Sequence, residues 1–440
     1  MRVSRLRSAL AAAILLVLGL STALAACSSA SSGGSSAGDG GDAASQEAAP
    51  GSDATTDVKD SSPGGDATGD SQTDVADVGA EGESGADAGA EADSGSQDAS
   101  VTDSGSLFPT DGGDCGAGSI GEPTELRCTG LYADWDSKTV ATGVVEYDPG
   151  LHLWSDGADK TRWIYLPPGS QIDTSNMDEW TFPVGTKIWK EFRLPLGDAG
   201  ADTRIETRLL WKLSAGTWYR TTYRWSADGE TSTAEEIFGE LDAGGTGYEV
   251  PSQFECNTCH NGRIDGVLGF EAVALSTFGA TPVTTQTLAA QSLLSSPPAA
   301  PIVIPGDATE VAALAYMHTN CGIACHNANG AASFTGFFMR LDVATLASVQ
   351  STNAYTTGWN VPTNTYAIPG AAVSYRIHAC DLAESCAYYR ADHRDDVDGA
   401  APGTQMPPVD SHVVDQAGIA AIAAWIEHGC GDAGAGGDGG

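Results

Sequence analysis

The residues whose types and spacing most clearly suggest a chemical function are two cysteines followed directly by a histidine. Cys256 and Cys259 are separated by two residues, and His260 comes next. This is the attachment pattern of c-type haem. Thiols at this spacing can add to the two vinyl groups of one haem, while the histidine reaches the iron from one side. A zinc or disulfide pair that happens to precede a histidine is the alternative for this stretch.

A second stretch carries the same elements at a longer spacing. Cys321 and Cys325 have three residues between them, and His326 follows. We therefore expect a second covalent haem, so that the protein holds two haem c groups. A small structural disulfide between Cys321 and Cys325 is the alternative here.

Met406 is the candidate for the opposite side of the second iron. It lies 80 residues after His326, between Gln405 and two prolines that stiffen the backbone. A thioether opposite an imidazole raises the reduction potential of haem and suits electron transfer. The predicted iron ligands are therefore His260, His326 and Met406.

The first iron has no second ligand that a sequence pattern identifies. Met177, His152 and Met317 are candidates without a supporting motif. His318 lies close to the second motif, but it follows a predicted helix, and we interpret it as a packing residue. An open position on the first iron would be compatible with ligand binding or peroxide chemistry.

The N-terminus predicts a lipoprotein signal peptide over residues 1–26. Three arginines precede a short apolar run, residues 10–20, that is brief for a membrane span. The segment ends Leu24-Ala25-Ala26-Cys27 and resembles a bacterial lipobox, in which the cysteine becomes the acylated first residue. We expect several acyl chains on Cys27 to anchor the protein at the outer membrane, on the periplasmic or cell-surface side.

Residues 27–113 predict a disordered tether after the acylated cysteine. From residue 28 onward this stretch consists mainly of Ser, Gly, Ala and Asp, with 18 acidic residues and one basic residue, Lys59. Such a segment buries too little apolar surface to offset the entropy of ordering. Residues 431–440 form a similar tail. The net charge of the whole chain is −37, which disfavours nucleic acid and favours a basic redox partner protein.

The first part of the folded region, residues 114–250, predicts β-structure. Eight of the ten tryptophans lie between residues 135 and 225. Runs of β-branched and aromatic residues alternate there with Gly, Pro and Asp clusters. We expect an all-β, sandwich-like domain. Residues 251–305 hold the first motif and a loop-rich linker.

Residues 306–430 predict a small helical domain around the second motif. A capping box at Asp307 begins one helix, and Asp415 caps another that ends at Gly429. We expect these two helices to pack against each other. The predicted fold class is mixed, an N-terminal all-β sandwich-like domain followed by an all-α class I cytochrome c-like domain.

The remaining cysteines predict disulfides, because thiols tend to pair outside the cytoplasm. Pairs close in sequence would be Cys115 with Cys128 and Cys380 with Cys386, which leaves Cys430 unpaired. Sequence alone leaves the connectivity open.

Taken together, these segments resemble a family, the periplasmic diheme c-type cytochromes found as a conserved-hypothetical group in Gram-negative bacteria. The resemblance covers about residues 145–427. Besides the first motif, the matching segments are residues 153–160, 182–186, 205–209, 250–251, 316–321, 369–370, 405–408 and 425–426. The resemblance implies two covalent haems and periplasmic electron transfer. This chain departs from the family between Cys321 and Cys325, where the family has two intervening residues.

The favoured function is therefore an electron-transfer diheme c-type cytochrome, anchored to a membrane as a lipoprotein. One alternative is a peroxidase-like haem oxidoreductase whose first haem is catalytic. Another is a non-haem β-sandwich binding lipoprotein whose cysteines are structural. Haem content and the spin state of the iron distinguish these three functions.

Overall fold

The computed structural model describes residues 123–196, 201–226, 232–234, 239–276, 279–395 and 403–430. The predicted signal peptide, lipidation at Cys27, the acidic tether, Cys115 and the C-terminal tail lie outside these residues. Within the described part of the chain, no helix combines the length and apolarity needed to cross a bilayer.

An antiparallel sheet of six strands forms the N-terminal half of the described chain. Its strands are neighbours in space in the order in which they occur in sequence. They are β3 (Val144–Glu146), β4 (Asp159–Tyr165), β5 (Lys187–Leu196), β6 (Ala201–Ser214), β7 (Thr217–Trp225) and β8 (Ser232–Ala234). A separate two-stranded sheet consists of β1 (Tyr132–Asp134) and β2 (Thr139–Val140). β-branched and aromatic residues favour these extended segments because they pack well on a pleated surface.

The two faces of the large sheet pack against different parts of the chain. Successive residues of a strand point to opposite faces, so Trp189 and Ile188 on β5 belong to different clusters. Trp189 packs with Leu126, Leu131 and other residues of the segment that precedes the sheet. Ile188 packs with residues of the C-terminal region, so one hydrophobic cluster joins the sheet to the rest of the molecule.

In the described part of the chain, six short helices lie beyond the sheet. They are α1 (Gln253–His260), α2 (Thr285–Ala290), α3 (Ala308–Met317), α4 (Asn353–Gly358), α5 (Cys386–Ala391) and α6 (Gln416–His428). A π-helical turn, His318–Gly322, continues directly from α3.

The two helices predicted at the ends of the C-terminal region are confirmed. Asp307 caps α3, and Glu310 completes the capping box by accepting the backbone N–H of Asp307. Asp415 caps α6 by accepting the N–H of Gly418. The helices pack against each other, with Leu314 among the buried residues of the shared cluster.

The predicted fold class is nevertheless wrong. The described chain contains two antiparallel sheets and few helices, with no all-α cytochrome c-like domain and no second large sheet to complete a sandwich. Between α3 and α6 the chain is mostly loop, with isolated bridges such as Trp359 to Ile377. This stretch is rich in Gly, Asn, Thr and Pro, which favour turns over helix. The end helices therefore pack onto the sheet rather than forming a separate helical bundle.

The predicted pairing of Cys380 with Cys386 is also wrong. Cys380 forms a disulfide with Cys430, while Cys386 is a free, buried thiol. The Cys380–Cys430 bond links a loop to the residues just after α6. Cys128 is disulfide-bonded as well.

A buried ion pair connects the sheet to the loop that follows the first cysteine motif. The Lys212 ammonium on β6 donates to both carboxylate oxygens of Asp265, at 2.6 and 2.7 Å. Trp218 Nε1 and the Phe182 backbone N–H also donate to Asp265, at 3.0 and 2.6 Å. Four donated hydrogen bonds thus replace the water that this buried carboxylate loses.

Replacing Asp265 with alanine is expected to destabilise the protein by about 3–5 kcal/mol, because the buried Lys212 ammonium would lose its counterion. Chemical denaturation followed by tryptophan fluorescence measures the change. Asp202→Ala is the control. It breaks an ion pair with Arg193 in which the Asp202 side chain is 61% exposed, and we expect a cost of about 1 kcal/mol or less. Equal costs for both variants would contradict a structural role for Asp265.

Candidate functional site

Both cysteine-histidine motifs and Met406 line a single cleft between the sheet and the C-terminal region. The cavity volume of the cleft is about 220 Å³, which is below the roughly 300–1,000 Å³ of ordinary small-ligand pockets. The cleft also opens to solvent.

The walls of the cleft are largely apolar and aromatic. The aromatic residues among them are Trp154, Phe192, Tyr248, Tyr316, Phe337 and Tyr366. Cationic side chains also contribute, namely Lys190, Arg208, Arg376, Arg390 and Arg394. This combination suits a ligand with a broad apolar body and anionic substituents.

The first motif lies on α1. Ser252 caps this helix in a capping box with Glu255. Because helical residues three and four apart share a face, Cys256, Cys259 and His260 are presented together. All three line the cleft.

Hydrogen bonding leaves one nitrogen of His260 available to a ligand. Its Nδ1 lies 2.6 Å from the carbonyl oxygen of Gly266. Because a carbonyl only accepts, Nδ1 carries the proton and Nε2 presents its lone pair. Burial lowers the pKa of His260 to about 3, so the ring is neutral at neutral pH. Anchoring one ring nitrogen in this way is typical of metal-bound histidines.

The second motif accommodates its extra residue through backbone hydrogen bonds with π-helical spacing. The Ile323 N–H donates to the carbonyl of His318 at 2.8 Å, and the His326 N–H donates to that of Cys321 at 2.8 Å. Each bond spans five residues, one more than in an α-helix. His326 Nδ1 lies 3.0 Å from the carbonyl oxygen of Phe337. The two histidines are thus oriented alike despite the different cysteine spacing.

The two motifs touch each other. Gly262, two residues beyond the first motif, lies so close to the second that an added Cβ would overlap the carbonyl oxygen of Ala324. The Cys259 and Cys325 thiols are hydrogen-bonded, which raises the pKa of Cys259 and lowers that of Cys325. Groups attached to the two motifs would therefore be neighbours.

The motif cysteines are neither paired nor assembled into a metal centre. Cys256, Cys259, Cys321 and Cys325 are free thiols, so the disulfide alternative for the second stretch is not formed. Across the described ranges, the groups of three or more potential metal ligands within 4.8 Å of one another contain no cysteine. Those groups are His378 with Asp381 and Glu384, and Glu249 with Glu255 and Asp410. The four thiols are thus not arranged as a zinc site.

Methionines lie at three positions around the cleft. Met406 lines it, and its backbone N–H donates to the carbonyl of Arg390 at 2.8 Å. Met317 and Met339 also line the cleft and are buried. No motif marked Met339, whose proximity depends on a backbone hydrogen bond of 2.8 Å to the carbonyl of His326.

The other candidate ligands for the first iron are placed elsewhere. Met177 and His152 are not among the lining residues, and His152 forms an exposed ion pair with Asp148. His318 is buried, and both of its ring nitrogens have protein partners. Its Nδ1 accepts the Leu341 N–H at 3.0 Å, and its Nε2 lies 3.3 Å from a carboxylate oxygen of Glu271.

The Glu271 carboxylate that faces His318 is ionised in a buried site. Burial alone would raise its pKa, but hydrogen bonds from His318 and from backbone N–H groups lower the pKa of Glu271 to about 2. His318 therefore has a structural role, as the sequence interpretation expected.

A segment preceding β4 connects the elements around the cleft. The Trp154 N–H donates to Asn320 Oδ1 in the π-helical turn at 2.6 Å, and Trp154 Nε1 donates to the carbonyl of Val413 at 2.8 Å. The Asp156 carboxylate accepts the N–H groups of His412 and Val413, at 2.8 and 3.1 Å. The segment thus holds the second motif and the chain after Met406 in one arrangement.

The structure brings all seven predicted haem-binding and iron-ligating residues, in both motifs and at Met406, to one cleft. These residues belong to three separate parts of the sequence. No protein-family model, curated protein or solved structure matches this chain.

Gly262→Ala is expected to destabilise the protein by about 3 kcal/mol, because the new Cβ would force the two motifs apart. Urea denaturation measures this cost. Gly245→Ala is the control: Gly245 has φ +78° with open space around its Cβ position, so only backbone strain of about 1–2 kcal/mol is added. A Gly262 variant no less stable than the control would argue against close contact between the motifs.

Proposed function

We propose that this protein is an electron-transfer protein that carries two covalently attached haem c groups in the cleft. The observation that carries the proposal is the matched pair of motifs. Each presents two free thiols and a histidine whose Nδ1 is anchored to a backbone carbonyl, and both face the same cleft.

The residues present fit haem in polarity and charge. The apolar and aromatic walls suit the macrocycle, and cationic lining residues such as Arg208 and Lys190 suit its propionates. Cys256 and Cys259 would hold the first haem, and Cys321 and Cys325 the second. His260 and His326 would each ligate an iron through Nε2, and Met406 would supply a further ligand to the second iron.

The chain's own contribution to electron transfer would be to keep iron ligation unchanged between oxidation states. Bound haem supplies the one-electron redox chemistry. The carbonyls of Gly266 and Phe337 hold the imidazole planes, and the Trp154 segment holds the loop after Met406. Contact between the motifs at Gly262 favours rapid exchange of electrons between neighbouring groups.

The proposal includes the membrane tether predicted from the N-terminus. Acylation at Cys27 would attach the protein to the outer membrane, and the acidic segment after it would let the folded part reach a partner. The net charge of −37 favours a redox partner with a basic docking surface.

The decisive experiment counts haem in the full chain expressed with a cytochrome c maturation system. Pyridine-haemochrome spectra and intact mass should give two haems in the wild type. The double variants Cys256→Ala/Cys259→Ala and Cys321→Ala/Cys325→Ala should each carry one. Cys386→Ala is the matched control, since Cys386 is a free thiol outside both motifs, and it should keep two.

Absence of any haem signal in the wild type would reject the proposal. Two haems in the Cys321/Cys325 variant would remove those thiols as an attachment site. Low-spin, six-coordinate spectra in both oxidation states would support electron carriage. A high-spin iron that binds cyanide or peroxide would instead indicate the haem oxidoreductase.

Met406→Ala is expected to leave both haems attached and to lower the reduction potential of one of them. Loss of the thioether removes a ligand that favours the reduced iron, within the roughly 0.8 V range that axial ligands span. Potentiometric titration with optical detection measures the shift. Met177→Ala, which changes a methionine outside the cleft lining, should leave both potentials unchanged. An unaltered potential and spin state in Met406→Ala would exclude this residue as a ligand.

A further inference from the structure

Three cationic side chains form a row across the face of the sheet that looks toward the cleft. Arg162 on β4 lies directly opposite Lys190 on β5, and Lys190 lies directly opposite Arg208 on β6. Residues directly opposite each other in a sheet share a face. The register therefore places the three side chains next to one another.

This cationic row, Arg162–Lys190–Arg208, has few carboxylates near it, and Asp148 acts on Arg162 without forming an ion pair with it. Arg208 donates to both oxygens of the Glu206 carboxylate, at 2.6 to 3.1 Å. Arg162 is 5% exposed. Within the described residues, neither Arg162 nor Lys190 has a side-chain hydrogen bond or an ion pair. The charged groups that act on Lys190 are Arg162, Lys160, Arg208 and the single carboxylate of Glu206.

Such a row is costly unless something compensates for it. Like charges directly opposite each other destabilise a sheet, and a buried charge without a partner is expensive. The chain has only 21 lysines and arginines in 440 residues, so a run of three neighbours is not a consequence of a basic composition. A negatively charged group between them would remove the repulsion.

The row borders the first motif. Lys190 and Arg208 line the cleft together with His260, and both cations contribute to the low pKa of that histidine. The cleft carboxylates Glu249, Glu255 and Asp410 also lie on the lining. In the described structure none of them forms an ion pair with Lys190 or Arg162.

We infer that the cationic row binds the carboxylate or phosphate group of a molecule that occupies the cleft beside the first motif. Lys190 lines the cleft and supplies a charge without an ion-pair partner, and Arg208 borders the site with its own charge balanced by Glu206. Where the proposed function holds, the anion is a propionate of the first haem, and the inference rests on that function. A free oxyanion has the same chemistry and is the other source.

An uncharged Lys190 is the competing explanation for the row. Burial, followed by the neighbouring cations, lowers the pKa of Lys190 well below its usual range. A neutral amine would need no anion, and its replacement by an apolar side chain would be harmless. A bound anion would instead make the charge of Lys190 necessary.

The test compares Lys190→Met, which removes the charge at similar length, with Lys190→Arg, which keeps it. In the haem-loaded protein, resonance Raman spectra report hydrogen bonding of the haem propionates through their bending modes. We expect these modes to shift in Lys190→Met and to remain close to wild type in Lys190→Arg. Arg193→Gln on the other face of β5 is the control, since Arg193 pairs with Glu191 and Asp202, and should leave the spectrum unchanged.

A second arm detects a free anion. Calorimetric titration with inorganic phosphate should show no binding where a propionate fills the row. Saturable phosphate binding whose affinity falls at least tenfold in Lys190→Met would indicate that the row binds a free oxyanion. This outcome holds whether or not the protein contains haem. The haem count decides the proposed function separately, so a haem-free protein that binds phosphate at this row would reject the function and keep the site.

The inference is overturned if Lys190→Met changes neither the propionate modes nor phosphate binding. Chemical denaturation of the same variants measures their stability and so detects a folding defect. If no anion binds to the row, removing the repulsion between its cations should make Lys190→Met at least as stable as the wild type. That gain in stability, combined with unchanged spectra and no phosphate binding, would identify Lys190 as a neutral amine without a ligand.

Discussion

The apolar contact between one face of the six-stranded sheet and the C-terminal region is the interaction on which the rest of the structure depends. Ile164 and Ile188 from the sheet share one buried cluster with Leu314 of α3 and Ile422 of α6. Burial of apolar side chains contributes about 25 cal/mol per Å². Because this contact joins the two parts of the chain, the cysteine motifs that follow the sheet and α3 meet in one cleft.

Several buried polar groups around the cleft have well-defined hydrogen-bond partners. The Asp265 carboxylate accepts four hydrogen bonds. The Glu271 carboxylate is hydrogen-bonded to His318 and accepts hydrogen bonds from two backbone N–H groups. The imidazoles of His260 and His326 each keep one nitrogen engaged and one available. Arg162 and Lys190 form no side-chain hydrogen bond or ion pair within the described residues, which is why the proposed anion is placed beside them.

Local signals predicted those parts of the fold that depend on neighbouring residues. The two helices begin at the predicted capping residues Asp307 and Asp415, because a helix cap is a contact within one turn. The helical domain expected between them was wrong. Because turn-forming residues there disfavour helix, contacts between distant residues determine the path of the chain. The Cys380–Cys430 disulfide is one such contact.

The amino-acid sequence alone identified the candidate residues, which are two cysteine-histidine motifs and Met406, because each is recognisable from a few adjacent positions. Only the tertiary structure decided that they share one cleft and that Met339 joins them. It also anchors His326 to the Phe337 carbonyl as it anchors His260 to the Gly266 carbonyl. The cationic row likewise exists only through strand register. These features depend on contacts between residues far apart in the chain, and such contacts are selected by the burial of the whole core rather than by any local pattern.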